Sequence, residues 1–270
     1  MLLTRNLGNI PQNFNRERKI AMTHTTFVAD KNELKDKVIL ITGAGDGIGR
    51  ELAITMASHG AEIILLGRTV KKLEAVYDQI VANGDLEPAI IPLDLNGATV
   101  KNYQDMAATI ESTFGRLDGL INNASMLNSL NPIEHIYEDA YDKTMKVNVK
   151  AQLFMTQALI PALKKSPSSS VIFTSSGVGK KGRAFWGEYA ISKFATEGLM
   201  QTMADEYENS VIRTNCVNPG ATNTKMRSKA YPSENKAEIA TPKDIMPTYL
   251  YLMSDASNLV NGQSLDAQPK

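Results

Sequence analysis

The chain has 270 residues, 43% of them apolar, and its 29 basic residues are balanced by 29 acidic ones. That length allows one large domain or two small ones, and a net charge of zero gives no electrostatic case for nucleic acid or an anionic membrane surface. The single cysteine, Cys216, excludes an internal disulfide and fits a buried thiol in a reducing compartment. The three histidines, His24, His59 and His135, lack the spacing of a metal site.

The first 36 residues are polar and irregular and contain no secretory apolar core. They read as a loosely ordered N-terminal extension (1–36), within which Met22 offers an alternative start. No apolar run is long enough to cross a bilayer, so a cytoplasmic protein with no membrane partner is expected.

From Lys37 onward short apolar runs alternate with segments of helical length. "KVILIT" (37–42), "AEIILL" (61–66), "PAIIPL" (88–93), "LDGLIN" (117–122), "SVIFTS" (170–175) and "VIRTNCVN" (211–218) read as strands. Most are continuous in Val, Ile and Leu, the pattern of strands covered on both faces. In "GIGRELAITMASHG", Ile48, Leu52, Met56 and Ala57 share a helix face and Gly60 stops the helix. Repeated strand–helix alternation predicts an α/β single-domain Rossmann fold over 37–270: a doubly wound parallel sheet with helices on both faces. No linker or internal repeat divides it.

"TGAGDGIG" follows the first strand and opens a helix, with Gly43, Gly47 and Gly49 in the loop. A dinucleotide pyrophosphate needs close backbone approach, free N–H groups and a helix N-terminus, and this layout provides all three. At the end of the second strand "LLGRT" has Gly67 where an acid would hold the ribose of NAD, and then Arg68. A guanidinium pairs well with the 2′-phosphate of NADP, which favours NADP(H) over NAD(H). Against this, Asp46 lies inside the glycine loop, and Arg68 also reads as a solvated turn residue.

In "WGEYAISKFATEG" (186–198), Tyr189 and Lys193 are four residues apart and share a helix face. No other tyrosine in the chain has a lysine four residues on. Alone, the pair is either a proton-handling site or a patch of helix surface.

Taken in order, "TGAGDGIG", "LDL" (93–95), "NNAS" (122–125), "VNVKA" (147–151), "TSSGVG", "YAISK" and "NPGATNT" resemble the classical short-chain dehydrogenase/reductase (SDR) family over nearly all of Lys37 to Pro269. "GAGDGIGRE", "SKFATEG" and the "DAQP" ending are similar to its bacterial YciK-like branch. The resemblance implies Asn148, Ser176, Tyr189 and Lys193 as the catalytic set. It implies Asp94 at the adenine, Asn122 supporting the central strand and lining the adenosine side, and Ile48 near the nicotinamide. Gly220, Thr222 and Thr224 would hold the carboxamide and pyrophosphate. Asp46, Tyr189 and Lys193 also count among the cofactor contacts, and no metal is implied. Two positions depart from the pattern: Ser125 replaces the glycine of "NNAG", and the end reads "GQSLDAQPK" instead of carrying paired glycines.

The function this implies is an NADP(H)-dependent interconversion of a carbonyl and an alcohol by hydride transfer. A tyrosine serves as proton donor if its ordinary pKa of about 10 is brought toward neutrality, roughly 4 kcal/mol for about three units. A lysine charge about 4 Å away supplies that much at an effective dielectric near 20, so Lys193 is expected to lower the pKa of Tyr189. Ser176 would bond the substrate oxygen, and Asn148 would hold a water leading to Lys193. Lys180, Lys181 and Arg183 read as a solvated basic loop or as a steering patch for an anionic substrate. Trp186 either walls the pocket or packs between subunits.

The competing functions are a non-catalytic NADP(H)-binding redox sensor and a sugar-nucleotide epimerase, the latter short of room for its larger substrate domain. A small-molecule carbonyl or alcohol is the expected substrate, under a lid at 225–242. A homodimer or homotetramer is expected to pair helices 138–165 and 187–209.

Overall fold

The computed structural model describes residues 24–268. One sheet is built from β1 (Val38–Thr42), β2 (Glu62–Gly67), β3 (Ala89–Pro92), β4 (Gly119–Asn122), β5 (Ser169–Thr174), β6 (Ile212–Asn218) and β7 (Ser264–Asp266). Every neighbouring pair is parallel, and the order is β3-β2-β1-β4-β5-β6-β7. Chain direction through the sheet reverses between β1 and β4, which opens a crevice at the carboxyl ends of the strands.

The helices are α1 (Gly47–Ser58), α2 (Val70–Ala82), α3 (Val100–Phe114), α4 (Glu138–Met145), α5 (Ala151–Lys164), α6 (Gly187–Glu206), α7 (Lys225–Ala230) and α8 (Met246–Met253). Strand alternation distributes the side chains between two cores. Ile39, Ile41, Ile63 and Leu65 pack with Leu52, Met56, Val76 and Tyr249 of α1, α2 and α8. Their neighbours Val38, Leu40, Ile64 and Leu66 pack with Tyr103, Met155, Leu159 and Met200 of α3, α5 and α6. Each fully buried aliphatic side chain stabilises the sheet by about 1.5–3 kcal/mol. The doubly wound architecture is as the sequence implied.

Asp118 locks the amino ends of β1 and β4. Its buried carboxylate accepts from Val38 N–H at 2.9 Å, Ser166 Oγ–H at 2.6 Å and Arg116 Nε–H at 2.9 Å. Behind α8 the buried Arg213 guanidinium donates to Ser257 O at 3.0 Å and Ser257 Oγ at 2.8 Å, tying β6 to the turn after that helix.

Three expectations change. The segment expected as one helix from 138 is α4 and α5 joined through a π turn, Lys146–Lys150, and it ends at Lys164. A seventh strand, β7, closes the sheet. Its three half-buried residues carry no strand pattern strong enough to read. The N-terminal extension was expected to be loose throughout. Residues 1–23 lie outside the described residues, but 24–36 are packed: Leu34 is fully buried, Phe27 meets Tyr251 edge-on at 5.6 Å, and His24 Nε2 lies 3.0 Å from Asp266 O. Burial of two apolar side chains anchors a stretch that its polar composition disguises. No helix among the described residues is long and apolar enough to cross a membrane.

Candidate active site

The strand ends surround a cleft of about 590 Å³. Of the expected residues, Gly43, Asp46, Gly47, Ile48, Arg68, Asp94, Tyr189, Lys193 and Thr224 line it. The glycine loop leads from β1 into the N-terminus of α1. Gly47 has φ +53°, and a Cβ on Gly49 would lie 2.1 Å from the Gly43 carbonyl oxygen, so no other residue fits there. A helix N-terminus on such a loop is a site for an anion.

Asp46 caps α1, its Oδ1 accepting from Gly47 N–H at 2.9 Å. Its other oxygen meets Lys72 Nζ at 2.6 Å and Lys225 Nζ at 3.0 Å. The Lys72 hydrogen bond, and then the Lys225 one, hold the carboxyl below its ordinary value against partial burial. The acid that spoke against a phosphate is therefore paired with two cations. Arg68, at the end of β2, lines the cleft with no hydrogen bond among the described residues. Asp94 follows β3, where its Oδ1 accepts from Asn96 N–H at 3.1 Å.

Asn122 does not line the cleft. It points away from it, donating to Thr156 Oγ1 of α5 at 3.1 Å, while the lining residue is Asn123. Successive side chains on a strand point to opposite faces, and the adenosine role expected of Asn122 is thereby corrected to strand support. Asn123 and Ala124 are in turn pinned by Thr42, whose Oγ1 accepts both their N–H groups at 2.9 Å.

Asn148 sits in the π turn, a feature that recurs at functional sites. Its amide clamps the loop after β4: Oδ1 accepts from Met126 N–H at 2.7 Å, and Nδ2 donates to Met126 O at 2.9 Å and Ser192 Oγ at 3.0 Å. Those three bonds use both N–H donors and one lone pair of Oδ1, so the side chain positions the loop after β4 against α6.

Tyr189 and Lys193 project from the first turns of α6 into the cleft. Lys193 is buried, donates to Thr174 O at 2.8 Å and lies 5.5 Å from the centroid of the Tyr189 ring. Burial pulls its pKa down to about 8, while Cys216 and Glu197 oppose the fall. Burial pushes the Tyr189 phenol up to about 12, and the hydroxyls of Ser125 and Ser176 pull it down. Burial is the largest of these influences on the phenol, and the Lys193 ammonium lies over its ring. Ser176 is not among the residues that line the cleft; its neighbour Ser175 is, with its hydroxyl donating to Glu197 Oε1 at 2.5 Å. Cys216 is a buried thiol with its pKa pushed up by burial, as expected of a structural residue.

An apolar wall completes the substrate side. Leu127, Val178, Tyr189 and Ala190 pack with Leu130, Trp186, Met226 and Ala230. The Trp186 ring packs 5.6 Å from that of Tyr189 without itself lining the cleft. Lys180, Lys181 and Arg183 are all exposed, and Lys180 pairs with Asp266 at 3.1 Å.

After β6, Thr224 caps α7 by accepting from Arg227 N–H at 3.2 Å and closes against the glycine loop. Gly220 and Thr222 shape this turn without lining the cleft. Thr222 Oγ1 bonds Pro219 O at 3.1 Å, and Gln268 Nε2 bonds Pro219 O and Ala221 O at 2.8 Å each. Lys72 and Asn123 line the cleft although the sequence reading does not single them out, and Lys225 and Lys229 reach it from the segment expected as the lid. Lys72, one helical turn after Arg68, was within reach of sequence reasoning; the others depend on loops brought together by the fold.

Comparison with known proteins agrees with this geometry. The family model described as short chain dehydrogenase matches residues 37–235. The chain is 48% identical over 236 residues to the uncharacterized oxidoreductase YciK of Escherichia coli K12, covering 87% of this chain and 93% of that one. A short chain dehydrogenase from Shigella flexneri 2a, solved in complex with NADP, is 47% identical with a TM-score of 0.87, covering 89% of this chain and 100% of that one. Another, from Escherichia coli CFT073 in complex with NADPH, has the same identity, TM-score and coverage. With its glycine loop, parallel sheet and matched sequence, this chain belongs to the short-chain dehydrogenase/reductase family of oxidoreductases.

Proposed function

We propose that the protein is an NADP(H)-dependent oxidoreductase that interconverts a carbonyl and an alcohol, with Tyr189 as general acid/base. The observation that carries this reading is the phenol of Tyr189, set beside the Ser125 and Ser176 hydroxyls and above the Lys193 ammonium, in the same cleft as the glycine loop. The cleft suits a dinucleotide phosphate: its glycine loop excludes a Cβ at Gly49, its helix N-terminus is open to an anion, and Arg68 is free for a 2′-phosphate. NADP and NADPH in the two related structures support the same cofactor here.

When bound, the reduced nicotinamide supplies a hydride to the carbonyl carbon. The electron pair of the C=O bond moves to oxygen, and the Tyr189 hydroxyl transfers its proton there, leaving a phenolate. Ser176 orients the carbonyl oxygen. Lys193, still mostly protonated at neutral pH, stabilises the phenolate across a dry site. Asn148 keeps the loop bearing Ser125 and Met126 in place. The reverse sequence oxidises an alcohol.

A non-catalytic redox sensor would need the glycine loop but no buried phenol, lysine and hydroxyls converging on a substrate wall. A cytoplasmic location and a homodimer or homotetramer complete the reading. Leu153, Ile191 and Phe194 leave 40%, 45% and 48% of their surface exposed on α5 and α6, which suits a paired helix face. The decisive experiment is a panel of carbonyl compounds and alcohols followed by NADPH absorbance, with Tyr189→Phe as control. A panel without turnover by the parent protein would favour the sensor.

A further inference from the structure

The loop after β4 holds a polar atom that the reading above leaves without a task. Ser125 Oγ is shielded from solvent and makes no hydrogen bond of full geometry, although the side chain lines the cleft. Its backbone cannot drift to relieve this. The preceding residue, Ala124, is held by Thr42 Oγ1 at 2.9 Å, and the following one, Met126, is bonded at both its N–H and its carbonyl by Asn148. An unpaired buried hydroxyl costs stability, and a glycine at this position would avoid that cost. The family pattern has glycine at this position, so the serine is a feature of this chain's own site.

The nearest chemistry is the Tyr189 phenol, on which the hydroxyls of Ser125, after β4, and Ser176, after β5, both act. A protonated phenol has one proton and accepts weakly. A phenolate has none and accepts strongly, so both hydroxyls can then turn to donate to it. Two such donors favour the charged form over the neutral one, in a site whose burial opposes it.

Building on the proposed role of Tyr189, we propose that Ser125 is a second catalytic hydroxyl: its Oγ–H donates to the Tyr189 phenolate oxygen, together with Ser176, and so stabilises the phenolate left by proton transfer. No atom is exchanged with Ser125; it reorients a hydrogen bond while the proton moves from Tyr189 to the substrate oxygen. The serine compensates for burial in a way that a glycine cannot.

The test compares the full-length parent with Ser125→Gly, Ser125→Ala and Ser125→Thr, each loaded with NADP. Tyr189 is titrated by its phenolate absorbance as a difference against Tyr189→Phe, a measurement that needs no substrate. The other titratable groups around the phenol, Lys193 on α6, Tyr249 on α8 and Lys229 on α7, are the same in all variants. Loss of the hydroxyl is expected to raise the Tyr189 pKa by about one unit, which lowers the phenolate fraction roughly tenfold at fixed pH. Ser125→Thr is expected to titrate like the parent. On any substrate that is turned over, the pH profile of kcat should move by the same amount with KM for NADPH unchanged. A merely structural serine would alter thermal stability and leave the titration where it was.

Superimposable titrations of Ser125→Gly and parent would overturn the inference. If Tyr189→Phe is at the same time inactive, only Ser125 has been misassigned. Full activity in Tyr189→Phe would overturn both the inference and the reading it rests on.

Discussion

Lys225 Nζ, at the start of α7, lies 3.0 Å from Asp46 Oδ2 in the glycine loop. One ion pair thus joins the segment over the substrate side to the loop that would hold the pyrophosphate. Lys72 reaches the same oxygen from α2 at 2.6 Å. Asp46 therefore has two tasks, capping α1 and holding two cations that would otherwise face a bound phosphate.

Replacing Asp46 with Asn separates those tasks, since an amide oxygen still caps Gly47 N–H while the charge is gone. NADPH is expected to bind more tightly, by up to about fivefold, the scale of an exposed charge interaction of up to about 1 kcal/mol. Calorimetric titration at two salt concentrations checks this, and the gain should shrink at high salt. The sign with pH follows from the pairing. The folded-state pKa of Asp46 lies below its ordinary value, so its stabilising contribution is complete above that ordinary value. It is lost as pH falls through the depressed one. Between pH 6 and 8 the Asp46 carboxylate should stay charged.

Arg68 is expected to set the cofactor preference. The parent is expected to bind NADPH more tightly than NADH, and Arg68→Ala to bring the two together by weakening NADPH about tenfold to a hundredfold, the loss of one or two charge-assisted hydrogen bonds. Equal affinities in the parent protein would contradict the assignment.

Tyr189→Phe should leave the fold and NADPH affinity nearly unchanged and lower turnover by about two to four orders of magnitude. Lys193→Ala should lose turnover and also weaken the cofactor. Because burial brings Lys193 to about 8, its charge is present at neutral pH and disappears as pH rises through that value. Carbonyl reduction is therefore expected to decline above about pH 8, and a profile flat to pH 10 would remove Lys193 from the mechanism.

The segment 225–242 is expected to act as a lid. Arg227 forks onto Glu234, with Nε at 2.7 Å and the terminal nitrogen at 2.5 Å, and Asn223 N–H bonds Ala240 O at 2.8 Å. Most of its other bonds are local, while Lys225 reaches Asp46 and Lys229 reaches Leu127 O. Hydrogen exchange should find its amides faster than those of β1 and slowed by NADPH with a bound substrate. Strong protection without ligand would argue for a fixed wall.

Phe194→Glu together with Ile191→Glu should convert an assembled protein into a monomer while keeping its secondary structure. Light scattering after size exclusion reads this directly. A parent that is already monomeric at micromolar concentration would place the exposed face outside any self-association.

The six long strands and the glycine loop were legible in the chain alone. Continuous runs such as "VILIT" and the placement of Gly43, Gly47 and Gly49 between a strand and a helix are local patterns, and local patterns survive in one dimension. So was the pairing of Tyr189 with Lys193, since four residues on a helix is a fixed geometry. The short β7 left no trace because three half-buried residues have no periodicity to read. Which way a side chain faces at a strand end, as between Asn122 and Asn123, depends on a register of one residue, and only the folded sheet sets it. Asp46 finds Lys225 across 179 positions, and Ser125 finds Tyr189 through a loop clamped from α5's π turn. Such contacts exist because the sheet brings its carboxyl ends together. The environment of Tyr189 likewise belongs to the tertiary structure: burial, which no short motif records, is the largest influence on its phenol.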